Sequence, residues 1–163
     1  MGRFRHRSEM PSAGPSPAST AAARALSEQL LNSMPLAPWP GGMYDRLPGE
    51  VPFGRWVGTR GMLRARDFSW ARHWRSLYDG GELIIDVTSQ RLRVTPGVES
   101  MPLRFIRRLE PRARDLSVLD LKFRTGDRLR LYGEHVPELT VMLGWLRWQR
   151  VIKVPDSPVM NPA

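Results

Sequence analysis

Residues 134–150, EHVPELTVMLGWLRWQR, have the pattern of one amphipathic helix with an unusually broad apolar face. Pro137 stands where the first turn of a helix accepts proline, and Glu138 places negative charge near the helix N-terminus. Apolar side chains then recur at helical spacing, at Leu139, Val141, Met142, Leu143, Trp145, Leu146 and Trp148. Because so broad an apolar face has to be covered, the rest of the chain must supply a flat apolar surface for it.

Upstream of this helix, short stretches of alternating apolar and polar residues predict seven strands. The predicted strands are residues 55–66, 72–78, 82–87, 91–95, 102–110, 118–124 and 128–132. The connections, including a predicted loop at 96–101, have hairpin length and contain no helical crossover, so the sheet should be antiparallel. The sequence therefore predicts a mainly β (α+β) fold, a seven-stranded rolled sheet or partly open barrel capped by the C-terminal helix.

Shifts in composition divide the chain into five parts. In order, these are a disordered basic tail (1–18), a short amphipathic helix (19–34), a Pro/Gly-rich linker (35–54), the folded domain (55–150) and a flexible C-terminal tail (151–163). Leu26 and Leu30 lie one turn apart on the short helix. Because a helix of about 15 residues is marginal alone, we expect it to dock either on the domain or on a partner.

The charge balance predicts an acidic partner. The 163 residues carry a net charge of +9 with a pI near 11.2. A GC-rich genome, such as that of an actinobacterium or its phage, accounts for the choice of Arg over Lys but not for the excess of positive charge. Nucleic acid, anionic lipid and acidic protein are the partner classes that this excess favours.

Two absences bear on location and chemistry. The chain has no cysteine, which excludes disulfides and cysteine-ligated zinc. No apolar run approaches the roughly 18 residues of a membrane span, and the N-terminus lacks the apolar core of a signal peptide. The sequence therefore predicts a cytoplasmic protein, with peripheral contact at the inner face of the membrane left open.

Three stretches of residues 55–150 resemble a pleckstrin-homology-like domain of the bacterial PH and GRAM type. GMLRAR…WARHWRSLYDGGELII resembles the first two strands of that family, and DVTSQRLRVTP with PLRFIRRLE resembles the GRAM-type hairpin and the strand after it. LDLKFRTGDRLRLYGEHVPELTVMLGWL resembles the last hairpin and the capping helix, with Trp145 near the family's helix tryptophan. The resemblance implies a non-enzymatic adaptor or scaffold that binds a protein partner, an anionic membrane surface or both.

Basic residues around the first predicted hairpin form the first candidate site. In lipid-binding members of the resembled family, basic residues here hold anionic headgroups, and guanidinium groups offer paired donors to phosphate. The alternative is a solvated, charged outer face. The candidate residues are Arg64, Arg66, Arg72 and Arg75, with Trp70 in the loop between them.

Two further sets of residues are candidates for contacts. Arg147, Trp148 and Arg150 on the flank of the C-terminal helix are candidate protein contacts, together with Leu26 and Leu30. A set of arginines around the predicted strand 102–110 favours nucleic acid as the alternative ligand, although Phe105 is the one aromatic residue available among them. This set comprises Arg104, Arg107, Arg108, Arg112 and Arg114.

The sequence contains no pattern typical of catalysis or cofactor binding. His6, His73 and His135 have no neighbours at metal-ligand spacing, and a triad around His73 would lack a nucleophile elbow. Neither a GxxxxGK[ST] nor a GxGxxG phosphate loop occurs. We therefore predict a protein that is not an enzyme and that binds neither a cofactor nor a metal.

Overall fold

The computed structural model describes residues 17–41, 45–64, 75–76, 82–96 and 98–156. Several predictions fall outside these ranges. They are the disordered tail before residue 17, most of the predicted strand 72–78, and the end of the C-terminal tail after residue 156.

The chain forms eight strands between two helices. Helix α1 spans Pro17–Leu31 and helix α2 spans Val136–Trp148. The strands are β1 (Pro52–Arg64), β2 (Arg75–Ser76), β3 (Leu83–Thr88), β4 (Arg91–Thr95), β5 (Val98–Pro102), β6 (Ile106–Pro111), β7 (Val118–Phe123) and β8 (Arg128–Tyr132). A 3₁₀ turn at Leu103–Phe105 joins β5 to β6.

Seven strands make one antiparallel sheet in the order β5-β4-β3-β1-β8-β7-β6, and β2 pairs with β1 beside this path. The first half of β1 pairs with β3, and its second half pairs with β8. The register shifts between Val57 and Thr59, where Gly58 has a φ of +94°. Such a bulge bends the strand, so β1 can serve both halves of a rolled sheet. The prediction of a mainly β, antiparallel, unclosed sheet with a C-terminal helix is confirmed.

Helix α2 covers the inner face of this sheet. Leu139 and Leu143 are fully buried and join one apolar cluster with the inward side chains of the strands. The strand residues in that cluster include Ile85, Val87, Leu92, Val94, Leu119, Leu121, Leu129 and Leu131. The helix begins as predicted, with Pro137 in its first turn and Glu138 near its N-terminus.

The connection between the two sheet edges differs from the prediction. The predicted loop 96–101 contains β5, and the predicted strand 102–110 begins with the 3₁₀ turn before it becomes β6. The hydrophobic phase slips near Phe105 and Ile106, and there the 3₁₀ turn is followed directly by a register shift between Ile106 and Arg108 in the β6–β7 pairing. β5 gave no strand signal because its sequence, VESMP, lacks apolar alternation. Since β5 and β6 are opposite edges of the sheet, this turn carries the chain across its open side.

The short helix docks on the domain. Ala23 and Leu30 of α1 pack with Val141 of α2 in a second apolar cluster. Residues 151–156, predicted to be flexible, lie against both helices because Val151, Ile152 and Val154 join this cluster. The Ser27 hydroxyl donates a hydrogen bond to the Ile152 carbonyl at 3.1 Å.

A glycine in α2 makes room for this tail. A Cβ at Gly144 would lie 2.7 Å from Cδ1 of Ile152, closer than real Cβ atoms approach a neighbour. The tail is thus packed directly on the helix backbone, and its path is fixed by a residue without a side chain.

A buried glutamate fixes the predicted linker to the sheet. Glu50 accepts hydrogen bonds from the Thr88 hydroxyl at 2.6 Å, Arg91 Nε at 2.7 Å and the Leu47 amide at 2.7 Å. Burial alone would raise the pKa of Glu50, but these donors and the charge of Arg91 lower it below its usual value. Residues 45–52 are therefore part of the folded unit, and β1 begins inside the predicted linker.

Shortening a side chain at the centre of the contact between helix and sheet should destabilise the whole domain. We expect Leu143→Ala to lower the free energy of unfolding by about 2–5 kcal/mol, because a fully buried leucine would leave a cavity. Leu31→Ala on α1 is the control, since Leu31 is 57% exposed, and should change stability by less than about 0.5 kcal/mol. Urea unfolding measures both, and equal losses in the two variants would contradict this role for α2.

Candidate binding surfaces

The register of the sheet aligns four basic residues across its outer face. Arg64 of β1 lies opposite Arg128 of β8, Arg128 lies opposite Lys122 of β7, and Lys122 lies opposite Arg108 of β6. We call Arg64, Arg128, Lys122 and Arg108 the cationic row. Their sequence neighbours Leu63, Leu129, Leu121 and Leu109 lie in the next row, which faces the core. The row is thus the outward half of the alternation that builds the core.

Half of the cationic row has an acidic partner. Lys122 Nζ lies 3.0 Å from Glu110 Oε1, and Arg108 Nη1 lies 3.9 Å from the same oxygen. The hydrogen bond from Lys122 lowers the pKa of Glu110 and outweighs the opposing effect of burial. Among the described residues, Arg64 and Arg128 have no ion-pair partner. The positive potential of the row is therefore least compensated at its β1–β8 end.

The neighbouring row of the same face holds a fully buried carboxylate. Asp120 accepts hydrogen bonds from Arg130 Nε at 2.5 Å and Nη2 at 2.8 Å, and from Arg112 Nε at 2.8 Å. Burial would raise the pKa of Asp120, but the bonds and charges of Arg130 and Arg112 hold it below its usual range. Asp120 is thus occupied by its own arginines and is not available to neutralise the cationic row.

A groove lies between the edge strand β6 and the end of α2. It has a volume of about 510 Å3 and is lined by Arg108, Leu109, Glu110, Pro111, Gly144, Trp148, Arg150 and Ile152. Trp148 is 39% exposed at its mouth. The groove therefore combines apolar side chains with an accessible aromatic ring and with charges of both signs.

Arg147 closes part of the β6 edge above this groove. Its Nε and Nη2 donate to the carbonyl oxygens of Ile106 and Arg104 at 3.1 and 3.3 Å, and its guanidinium lies 5.2 Å from the centroid of the Trp148 ring. At the other end of β6, Pro111 has no N–H to offer. Because both ends of the edge are blocked, a ligand in the groove would be recognised mainly by side chains and not as an added strand.

The structure separates the predicted site residues into three groups. Arg64 lies in the cationic row, and Arg75 has its Cα opposite that of Leu63. Arg66, Trp70 and Arg72 lie outside the described residues.

The last of the three groups of predicted site residues contains the predicted protein contacts. Trp148 and Arg150 line the groove, whereas Arg147 is bound to the β6 edge. Leu30 is 3% exposed and packs within the chain, with Leu26 partly buried beside it. These two leucines therefore offer little surface to a partner while α1 is docked.

Sequence reasoning did not connect Arg64 with Arg128 and Lys122. The strand pattern places Lys122 on the outer face of β7, but only the register shows that it lies beside Arg128 and two strands from Arg64. Alternation along a strand shows which face of the sheet each side chain lies on. It does not show which residues of other strands become its neighbours.

The network around Asp120 predicts a specific dependence of stability on pH. Because the folded-state pKa of Asp120 lies below the unfolded value of about 3.9, its contribution is complete above that value and is lost as the pH falls through the folded-state pKa. We expect Asp120→Asn to cost about 1–3 kcal/mol at pH 7 and to lose less stability on acidification than the wild type. Urea unfolding at several pH values between about 2 and 7 tests this, and parallel stability curves for the two proteins would refute it.

Comparisons with known proteins leave the function to be argued from these surfaces. No protein-family model matches the chain, and no curated protein matches it. Within the described ranges, no group of three His, Cys, Asp or Glu side chains is placed to hold a metal ion. Neither described helix is long and apolar enough to cross a membrane.

Proposed function

We propose that this chain is a non-enzymatic, PH-like adaptor that binds a segment of a protein partner in the groove between β6 and α2. The observation that carries the proposal is the exposed Trp148 at the mouth of an apolar groove flanked by Arg108 and Arg150. Aromatic and arginine side chains in such a setting are the residues that contribute most to protein–protein affinity.

The PH-like part of the proposal is supported by the order of the elements. An unclosed antiparallel sheet of seven strands along one path is followed by a single helix that packs across the inner face. This is the order expected from the resemblance of residues 55–150. Because one fold serves many functions, the groove and not the fold supports the choice of partner.

The lining of the groove indicates the chemistry of the segment. Leu109, Pro111 and Ile152 provide apolar contacts, and the volume of about 510 Å3 is sufficient for one or two large side chains. Arg150 is exposed, whereas the nearby acid Glu110 is already bonded to Lys122. We infer a short segment that inserts an apolar or aromatic side chain beside Trp148 and places an acidic group near Arg150.

The membrane branch of the resemblance depends on other residues. Arg66, Arg72 and Trp70, which would contact anionic lipid, lie outside the described ranges. The proposed function therefore does not require membrane binding, and anionic vesicles serve as a competing ligand when the cationic row is tested. A cytoplasmic location remains a prediction.

Removing the aromatic ring of Trp148 should weaken partner binding strongly without unfolding the domain. Peptides selected from a random displayed library on the immobilised full chain provide the probe. We expect Trp148→Ala and Arg150→Glu each to weaken binding of a selected peptide by about tenfold or more, as for residues at the centre of an interface. Fluorescence anisotropy measures the affinity, and circular dichroism checks the fold.

Arg46→Glu is the matched control for charge, because Arg46 is exposed in the predicted linker (35–54) and does not line the groove. It should leave the peptide affinity within about twofold. The proposal fails if no peptide is enriched on the full chain, or if the enriched peptides bind Trp148→Ala as tightly as the wild type.

A further inference from the structure

The cationic row is electrostatically unfavourable in the isolated protein. Like charges directly opposite each other on neighbouring strands destabilise a sheet, and here the pairs Arg64–Arg128 and Arg128–Lys122 are directly opposite. Strands lie about 4.8 Å apart, so the four residues span roughly 14 Å of one face. Since Arg64 and Arg128 have no ion-pair partner among the described residues, an anion bound there would relieve this repulsion.

The shape of the charge distribution favours a linear polyanion over an anionic plane. The next row on the same face contains two carboxylates, because Asp120 of β7 lies opposite Glu110 of β6. Arg130 and Arg112 already match the charges of these two carboxylates, so a membrane laid against this face would be attracted by the cationic row and not by the row beside it. A polymer that runs along the row meets Arg64, Arg128 and Lys122 in succession, and all of its contacts fall where the positive charge lies.

Among linear polyanions, a nucleic acid strand fits the row better than an acidic protein segment. An extended peptide turns only every second side chain towards the row, whereas a nucleic acid strand carries a charged phosphate at every residue. Three of the four cations in the row are arginines, whose guanidinium groups bind phosphate with paired donors. We propose that the cationic row binds the phosphate backbone of a single-stranded nucleic acid, without reading its sequence.

This activity goes beyond the proposed adaptor function and uses the opposite face of the sheet from α2. Arg108 is the one residue shared by the cationic row and the groove. The two ligands can therefore be separated by variants at Arg64 and Arg128, which do not line the groove.

The test uses the full chain and two probes, fluorescein-labelled dT12 and rU12. With about three to four phosphate contacts, the slope of log affinity against log salt should be near −2 to −3. Raising the salt from 50 to 200 mM should then weaken binding roughly 20- to 50-fold. Because the contacts are to the backbone, the two probes and a mixed-sequence 12-mer should bind within a few-fold of one another.

Arg128→Gln and Arg64→Gln should each weaken binding several-fold at 50 mM salt and make the salt slope shallower by about 0.7. Lys153→Gln is the matched control, because it removes one positive charge from the exposed tail on the α2 side of the sheet. It should leave both the affinity at this site and the slope within error.

Thermal unfolding distinguishes a binding role from a structural one. Because Arg128→Gln removes a repulsion, its Tm should equal or exceed that of the wild type while its affinity falls. A fall in both would indicate that Arg128 acts by holding the fold, and would overturn the proposal.

Competition identifies the class of ligand. Poly-glutamate of matched length and vesicles of phosphatidylglycerol are added to the complex with dT12 at 50 mM salt. The proposal is upheld if the unlabelled oligonucleotide displaces the probe at much lower charge concentration than either competitor. The proposal is overturned if poly-glutamate displaces the probe as well as the oligonucleotide does, or if neither probe binds. It is also overturned if vesicles bind the wild type more tightly than the oligonucleotide does and lose this binding in Arg128→Gln.

Discussion

The burial of α2 determines where every other part of the chain lies. Leu139 and Leu143 are fully buried on the inner face of the sheet, while Val141 on another side of the helix packs with Ala23 and Leu30 of α1. This explains the breadth of the apolar stripe in residues 134–150, which is wider than one neighbour requires. One part of the stripe covers the sheet, and the other receives α1 and the C-terminal tail. Because the helix is held from both sides, its end is fixed beside β6, and that position creates the groove.

The same core also determines the surface charge. Leu119 and Leu121 of β7 and Leu129 and Leu131 of β8 must face inward, so the residues between them must face outward. A slip of one residue would bring charged side chains into the core, so the packing of the leucines specifies the register strongly. Hence the alignment of Arg128 with Lys122 and Arg64 follows from core packing, and its electrostatic cost is offset by the apolar burial on the other face.

The parts of the fold that could be predicted from the sequence are those with a local signal. β4, β7 and β8 were predicted within one residue of their ends, because each alternates apolar and polar residues over at least five positions. β5 was missed because an edge strand needs little apolar character. The pair Glu50–Arg91 was also missed, since two residues 41 positions apart carry no periodic signal. For the same reason Trp148 could be predicted as a contact residue, but the groove beside it could not, because its walls come from β6, α2 and the tail.

The positions of the arginines in the fold show which part of the positive charge is structural and which part is available to a ligand. Arg55, Arg91, Arg112 and Arg130 each lie within 3 Å of a carboxylate, and these arginines hold the structure together. Genomic preference for arginine would act on all of them and on Arg64 and Arg128 alike, so it does not explain why two arginines without an acidic partner among the described residues lie directly opposite each other. The stability of the fold favours surplus cations that lie far from one another, because repulsion between neighbouring charges destabilises the sheet. Within the part of the chain that the structure describes, the pairing of Arg64 with Arg128, neither of which has an acidic partner, is therefore the feature that most directly indicates an anionic ligand.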